Sequence, residues 1–139
     1  MAYAEVVDKT IPVARSKVFA ALMDFGGVGK LLPDAIESCT VQGSGVGAVR
    51  TIKLKGAPGE VVERLECGHD ETVFSYSIVA PSPLPVDHYH AVVILSDAAG
   101  GGCRVVWGSN WVATAAPEAD VKAMLTDLYT NLINALGKA

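Results

Sequence analysis

A chain of 139 residues, half of them hydrophobic and 19% charged, is one domain with material for a single good core, and it is not a disordered segment. The net charge is −4 and the lysines and arginines are scattered, which excludes the basic patch that nucleic acid or an anionic membrane surface would select. The amino-terminal MAYAEVVDKTIPVARSK lacks the charged-then-apolar order of a signal peptide, and no stretch is long and apolar enough to span a bilayer. Cys39, Cys67 and Cys103 lie far apart with no CxxC spacing, a pattern that predicts reduced thiols in a cytoplasmic protein.

In chain order, AEVVDKT (residues 4–10) reads as a short strand. After Pro12, ARSKVFAALMDF carries Val18, Phe19, Leu22 and Phe25 at helical spacing, and Gly26-Gly27 ends that helix. VGKLLPD adds one more helical turn, stopped by Pro33. From Ile36 the period changes to that of strands: IESCTVQG, AVRTIKLKG, GEVVERLEC, ETVFSYSIVA, DHYHAVVILSD and CRVVWGSNWVAT. The links GSGVG, KGAPG, GHD, a proline-rich loop and AAGGG are all credible turns, so the strands form an antiparallel meander. After Pro117 the helical period returns, with Val121, Met124, Leu125, Leu128, Leu132 and Leu136 on one broad stripe. Glu118 and Asp120 stand at its start, where the helix dipole favours acids. The order predicts an α+β fold in which a seven-stranded antiparallel sheet curls around a long C-terminal helix, with two short helices after the first strand. Any space the facing side chains leave between sheet and helix is a cavity.

Strand alternation sorts the faces. Lys53 and Lys55 mark the wet face of the third strand, so Arg50, Ile52 and Leu54 point inward. Arg64 and Glu66 mark the wet face of the fourth, so Glu63 points inward. The short turn between these strands sets Ile52 roughly opposite Glu63, with Arg50 diagonal to it. Burying either charge alone is costly, so the two should pair, as a structural ion pair, as a polar anchor in an apolar pocket, or as both. Phe74, Tyr76 and Ile78 add an aromatic wall.

Two strands stay ambiguous by alternation alone. In DHYHAVVIL, His88 and His90 share one face and Tyr89 and Ala91 the other, and both faces are apolar further along. A His-x-His pair needs more ligands to hold zinc; Asp87 falls on the other face and His69 sits in a separate turn, so no metal site is expected. In CRVVWGSNWVAT, Gly108 and Asn110 oppose Trp107, Ser109 and Trp111. On the last helix, Leu125, Tyr129 and Ile133 form a row that fits a cavity wall and would bring a second phenol to it.

The ordered words VFAALMDF, LLPDAIESC, GVGAVRTIKL, VVERLE, FSYSIV, PLPVDHY and VVWGSNW resemble those of the START-like helix-grip (SRPBCC) superfamily, in its polyketide cyclase/dehydrase branch, over nearly the whole chain. The plant abscisic acid receptors belong to the same superfamily. The resemblance implies a hydrophobic cavity for one small, often aromatic or polycyclic ligand, closed by two loops, here KGAPGE and PSPLPV, the second carrying Pro85. It puts Tyr89 and small Ala91 inside and both histidines outside. It puts Gly108 and Asn110 toward the cavity, leaving Trp107 and Trp111 outward, which requires either a different register of this strand or a partner, such as a second copy, packed on that face. The receptors' ligand-pairing lysine maps to Glu37, an acid in place of a base, so binding of that carboxylate hormone is not implied.

GxSxG, phosphate-loop, HExxH and dinucleotide patterns are missing from the sequence, and no cofactor is expected. The expected chemistry is a cyclisation, dehydration or other lyase-type proton transfer on a small oxygenated ring compound. Glu63 would be the general acid/base set against Arg50, and Tyr89, with Tyr76 or Asn110, would polarise a carbonyl. The alternative is a carrier or sensor in which the two loops act as lids.

Overall fold

The structure, a computed structural model, describes residues 3–138; Met1 and Ala2 of the amino-terminal segment and Ala139 of the last predicted helix lie outside the described residues. The elements are β1 (Glu5–Ile11), α1 (Arg15–Met23), a 3-10 turn at Phe25–Gly27, α2 (Val28–Leu31), β2 (Ile36–Gln42), β3 (Val49–Leu54), β4 (Glu60–His69), β5 (Val73–Ile78), β6 (Val86–Ala98), β7 (Gly102–Ala113) and α3 (Glu118–Leu136). The strands make one antiparallel sheet in the order β1-β7-β6-β5-β4-β3-β2, so only β1 leaves the meander to pair with β7. Helix α3 buries Val121, Leu125, Tyr129, Leu132, Ile133 and Leu136 against the sheet's inner face. This is the helix-grip fold expected from the sequence.

Three local features depart from the expected pairing or alternation, and each bears on the site. Arg50 pairs directly with Glu63, and Ile52 with Val61, so the β3–β4 register differs by one inward-facing pair from the expected one and sets the two charges face to face. In β6 the pairing with β7 breaks between Asp87 and His90, where His88 has φ 56°. A bulge of this kind lets two successive residues share a face. Val86 and Tyr89 are both buried while Asp87 and His88 are both exposed, so Asp87 joins the histidines outside rather than opposing them. In β2 a similar break between Ile36 and Ser38 leaves Glu37 exposed, 3.5 Å from Lys53 Nζ.

The face of β7 is the reverse of the one the resemblance implied. Trp107 is 2% exposed and Ser109 fully buried, continuing the inward series of Cys103 and Val105. Gly108 lies on the outer face under Tyr3, whose ring sits 2.7 Å from where a Cβ would stand. Asn110 is exposed and accepts a hydrogen bond from the Ala4 amide at 3.0 Å. Burial of the indole is the stronger physical demand, and it fixes the phase of the strand. With Trp107 inside, the reason for expecting a partner over that face disappears.

Candidate active site

A cavity of about 240 Å³ lies between the sheet, α2 and α3. Its wall is made by Val28, Leu32, Ala35 and Ile36, by Ile52 and Leu54 of β3, by Val61 of β4, by Tyr76 of β5, by Leu84, and by Met124, Leu128 and Leu132 of α3. Into this apolar wall the sheet brings two charges, Arg50 and Glu63. Their side chains are only 7% and 9% exposed.

The pair is held in one geometry. Glu63 Oε1 accepts a hydrogen bond from Arg50 Nε at 2.7 Å and lies 2.7 Å from Nη2. Nη1 donates to the Phe25 carbonyl at 3.1 Å, and the guanidinium carbon sits 3.9 Å from the centre of the Phe25 ring. Arg50 is therefore clamped from behind by the turn before α2, a cation over an aromatic face. Both of its contacts with Glu63 fall on Oε1. Oε2 accepts no hydrogen bond among the described residues, and it is not sealed from the space beside it. Burial pushes the Glu63 carboxyl above its ordinary value, against the opposing pull of Arg50.

Behind the cavity runs a chain of buried hydroxyls. Trp107 Nε1 donates to the Tyr76 hydroxyl at 3.3 Å, Tyr76 and Tyr89 hydroxyls are 3.4 Å apart, Tyr89 bonds Tyr129, and Tyr129 donates to Ser109 Oγ at 2.7 Å. Each phenol has one proton to give. Since Tyr129 gives its proton to Ser109, Tyr89 must give its own to Tyr129. Burial raises all three phenols above the usual tyrosine range. Tyr76 is the one phenol on the cavity wall, and its contacts are the long ones, so its proton is the least committed.

Of the residues predicted for the site, Arg50, Glu63, Ile52, Leu54 and Tyr76 come together on the cavity. Tyr89 points inward as expected, but its hydroxyl is held by Tyr76 and Tyr129 and does not border the cavity. Ala91, fully buried opposite Tyr76, and Ile78, partly buried opposite Glu63, also stand off the wall. In the PSPLPV loop Leu84, not Pro85, reaches it. On α3 the row that faces it is Met124, Leu128 and Leu132, one helical step from the expected Leu125 and Tyr129, which pack on the sheet. Glu37, Gly108 and Asn110 are outside it. Sequence reading missed Val28, Leu32, Ala35 and Ile36, because α2 and its following turn show no period long enough to assign a face. The 4-residue spacing of Met124, Leu128 and Leu132 was visible, but within a stripe read as core.

Gly59 of one expected mouth loop, at φ +82°, faces Pro83 of the other: a Cβ built on Gly59 would lie 3.8 Å from the Pro83 ring. On the outer face, His90 Nδ1 is 2.8 Å from Ser77 Oγ, which bonds Glu66. Among the described residues no group of three or more His, Cys, Asp or Glu is placed to hold a metal ion.

Comparison with known proteins agrees with this fold. The family described as polyketide cyclase / dehydrase and lipid transport matches residues 4–137. Among curated proteins nothing matches. A structure of XoxI from Bacillus cereus is similar at a TM-score of 0.81 and 21% identity, covering 99% of this chain and 94% of that one. A protein from Bacillus thuringiensis gives 0.80 at 21% identity, covering 96% and 95%. Norcoclaurine synthase from Thalictrum flavum, in complex with dopamine and hydroxybenzaldehyde, gives 0.75 at 15% identity, covering 96% and 83%. At these identities the likeness is one of fold.

Proposed function

The chain belongs to the polyketide cyclase/dehydrase and lipid transport family, and from that premise we propose that it binds one small oxygenated ring compound in the cavity and moves a proton on it, in a dehydration or cyclisation of the lyase type. The observation that carries this reading is Glu63: a carboxyl with one oxygen fixed by Arg50 and the other without a partner among the described residues, beside an apolar cavity. A carboxyl raised by desolvation and held in place is suited to general acid–base work.

On a β-hydroxy ketone the steps balance as follows. The Tyr76 hydroxyl holds the carbonyl oxygen. Glu63 Oε2 takes the proton from the α-carbon, giving an enolate. The enolate re-forms the carbonyl as the β-carbon–oxygen bond breaks, and the hydroxyl leaves as water with the proton from Glu63. In a cyclisation the same enolate attacks a second carbonyl of the molecule, and the proton passes to the new alkoxide. The size of the cavity, about 240 Å³, is just under the ~300–1,000 Å³ of common ligand sites, which favours one or two rings over larger polycycles. The Thalictrum flavum enzyme, whose structure holds dopamine and hydroxybenzaldehyde, offers one-ring compounds on the same fold. The absence of a membrane-crossing helix among the described residues and three free cysteines suit action in the cytoplasm.

The test is α-proton exchange. 2-Tetralone in D₂O, followed by NMR, should gain deuterium next to its carbonyl faster with the protein than in buffer, and Glu63→Gln should return the rate to that of buffer. Equal rates for the two proteins would sink the proposed role of Glu63. A carrier is the second reading, favoured by the approach of the two loops at Gly59 and Pro83 and by a phenol chain whose protons are largely committed to one another. A carrier returns its ligand unchanged and exchanges no proton.

A further inference from the structure

We propose that the cavity selects a neutral hydroxyl compound, held by O–H donation to Glu63 Oε2, and rejects carboxylates and ammonium ions of the same shape. This rests on the preceding reading for the location of the site and names the ligand class that site takes.

The charges at the polar end cancel. Among the described residues, Arg50 and Glu63 are the only ionisable ones on the wall besides the phenol of Tyr76. Asp24, which lines a separate small pocket together with Arg50, is packed against Gly27 and does not border the cavity. A ligand carboxylate would need Arg50, but Nε and Nη2 serve Glu63, Nη1 serves the Phe25 carbonyl, and the Phe25 ring holds the guanidinium in place. Drawing Arg50 away would leave Glu63 buried and unpaired, which costs more than the new pair returns. An ammonium ion could reach Oε2, but it would add a net charge to an otherwise apolar space. A neutral hydroxyl does neither. It gives Oε2 the donor it lacks, and it leaves the ion pair intact. Hydrogen bonds to charged groups are the stronger kind, so the preference should be large.

The experiment is calorimetric titration at pH 7 with four naphthalenes of one shape: 2-naphthol, 2-methoxynaphthalene, 2-naphthoate and 2-naphthylmethylammonium. Methyl NMR of Ile52, Val61 and Leu128 reports whether each sits in the cavity. The expected result is that 2-naphthol binds at least about tenfold more tightly than its methyl ether, that both ions bind more weakly still, and that Glu63→Gln shrinks the naphthol preference to within about threefold. The series in the wild-type protein decides the matter even if Glu63→Gln folds poorly. Tightest binding by either ion, equal binding of naphthol and its ether, or binding that leaves the three methyl signals unmoved overturns the proposal. Naphthol selectivity without α-proton exchange of 2-tetralone would keep the ligand class and remove the chemistry. Exchange without naphthol selectivity would do the reverse.

Discussion

Glu63 stands directly opposite Arg50 across β3 and β4 and receives both of its contacts on a single oxygen. A structural ion pair would be expected to use both oxygens, as bidentate pairs do. Here the geometry divides the carboxyl into an anchored half and a free half. Arg50→Met should therefore lose more than a contact. It removes the anchor and the cation together, and leaves a buried carboxyl that must stay protonated. It should cost about 3–5 kcal/mol in chemical denaturation, and 2-tetralone exchange should vanish. A cost under about 1 kcal/mol would mean the pair is wet.

The pH dependence of stability carries a definite sign. The folded chain holds the Glu63 proton more tightly than the unfolded chain does, because burial raises it above the ordinary 4.5. Its contribution is whole below that value and is lost as pH rises through the folded one. The melting temperature of the wild type relative to Glu63→Gln should thus fall as pH climbs from 4.5. Asp8 and Glu66, held low by hydrogen bonds from Arg104 and Arg64, act in the opposite sense, but they are common to both proteins and cancel. A difference that grows in favour of the wild type with rising pH would contradict the raised carboxyl.

The two tryptophans of β7 should respond unequally to the same substitution. Trp107 stacks on Tyr129 at 5.6 Å and donates to Tyr76, whereas Trp111 Nε1 is buried with no partner among the described residues. Trp107→Phe loses a hydrogen bond and part of an aromatic contact; Trp111→Phe removes an unsatisfied donor. Denaturant titration should separate them by about 2 kcal/mol, with Trp111→Phe the milder. Equal costs would show that the two indoles are equivalent.

Alkaline titration followed at 295 nm should find Tyr76, Tyr89 and Tyr129 protonated past the ordinary phenol range of about 10 while the chain is folded, because burial raises all three. Unfolding should then release protons, so stability falls as pH rises above that range. Full ionisation of all four tyrosines of the folded chain near pH 10 would contradict the buried hydroxyl chain.

Much of this was legible in the sequence, for reasons that mark where reading stops. Lys53 and Lys55 exposed one face of β3, and Arg64 and Glu66 one face of β4, so Arg50 and Glu63 were assigned inward from solvent-facing charges alone. Their direct pairing was missed because the register of a hairpin depends on the geometry of its turn, here through Gly56 and Gly59 at positive φ. Tyr89 was placed inside only through resemblance, and the bulge at His88 that puts it there leaves no mark in a two-residue period. In β7 the same resemblance misled, while Cys103, Val105 and Trp107 already spelled out one apolar face. The cavity's walls from α2 and from Met124, Leu128 and Leu132 depend on how the helices sit on the sheet, which no local pattern specifies.

The most direct test of Glu63 as a proton-exchanging group is its own titration. With ¹³C in the glutamate side chains, the Glu63 carboxyl resonance, assigned by its loss in Glu63→Gln, is followed from acid to neutral pH with and without 2-naphthol. A midpoint above the ordinary 4.5, with a resonance that moves when naphthol binds, is the expected result. A midpoint below that value and a resonance indifferent to naphthol would make Glu63 the closed half of a structural ion pair, and the proposed chemistry would have no base.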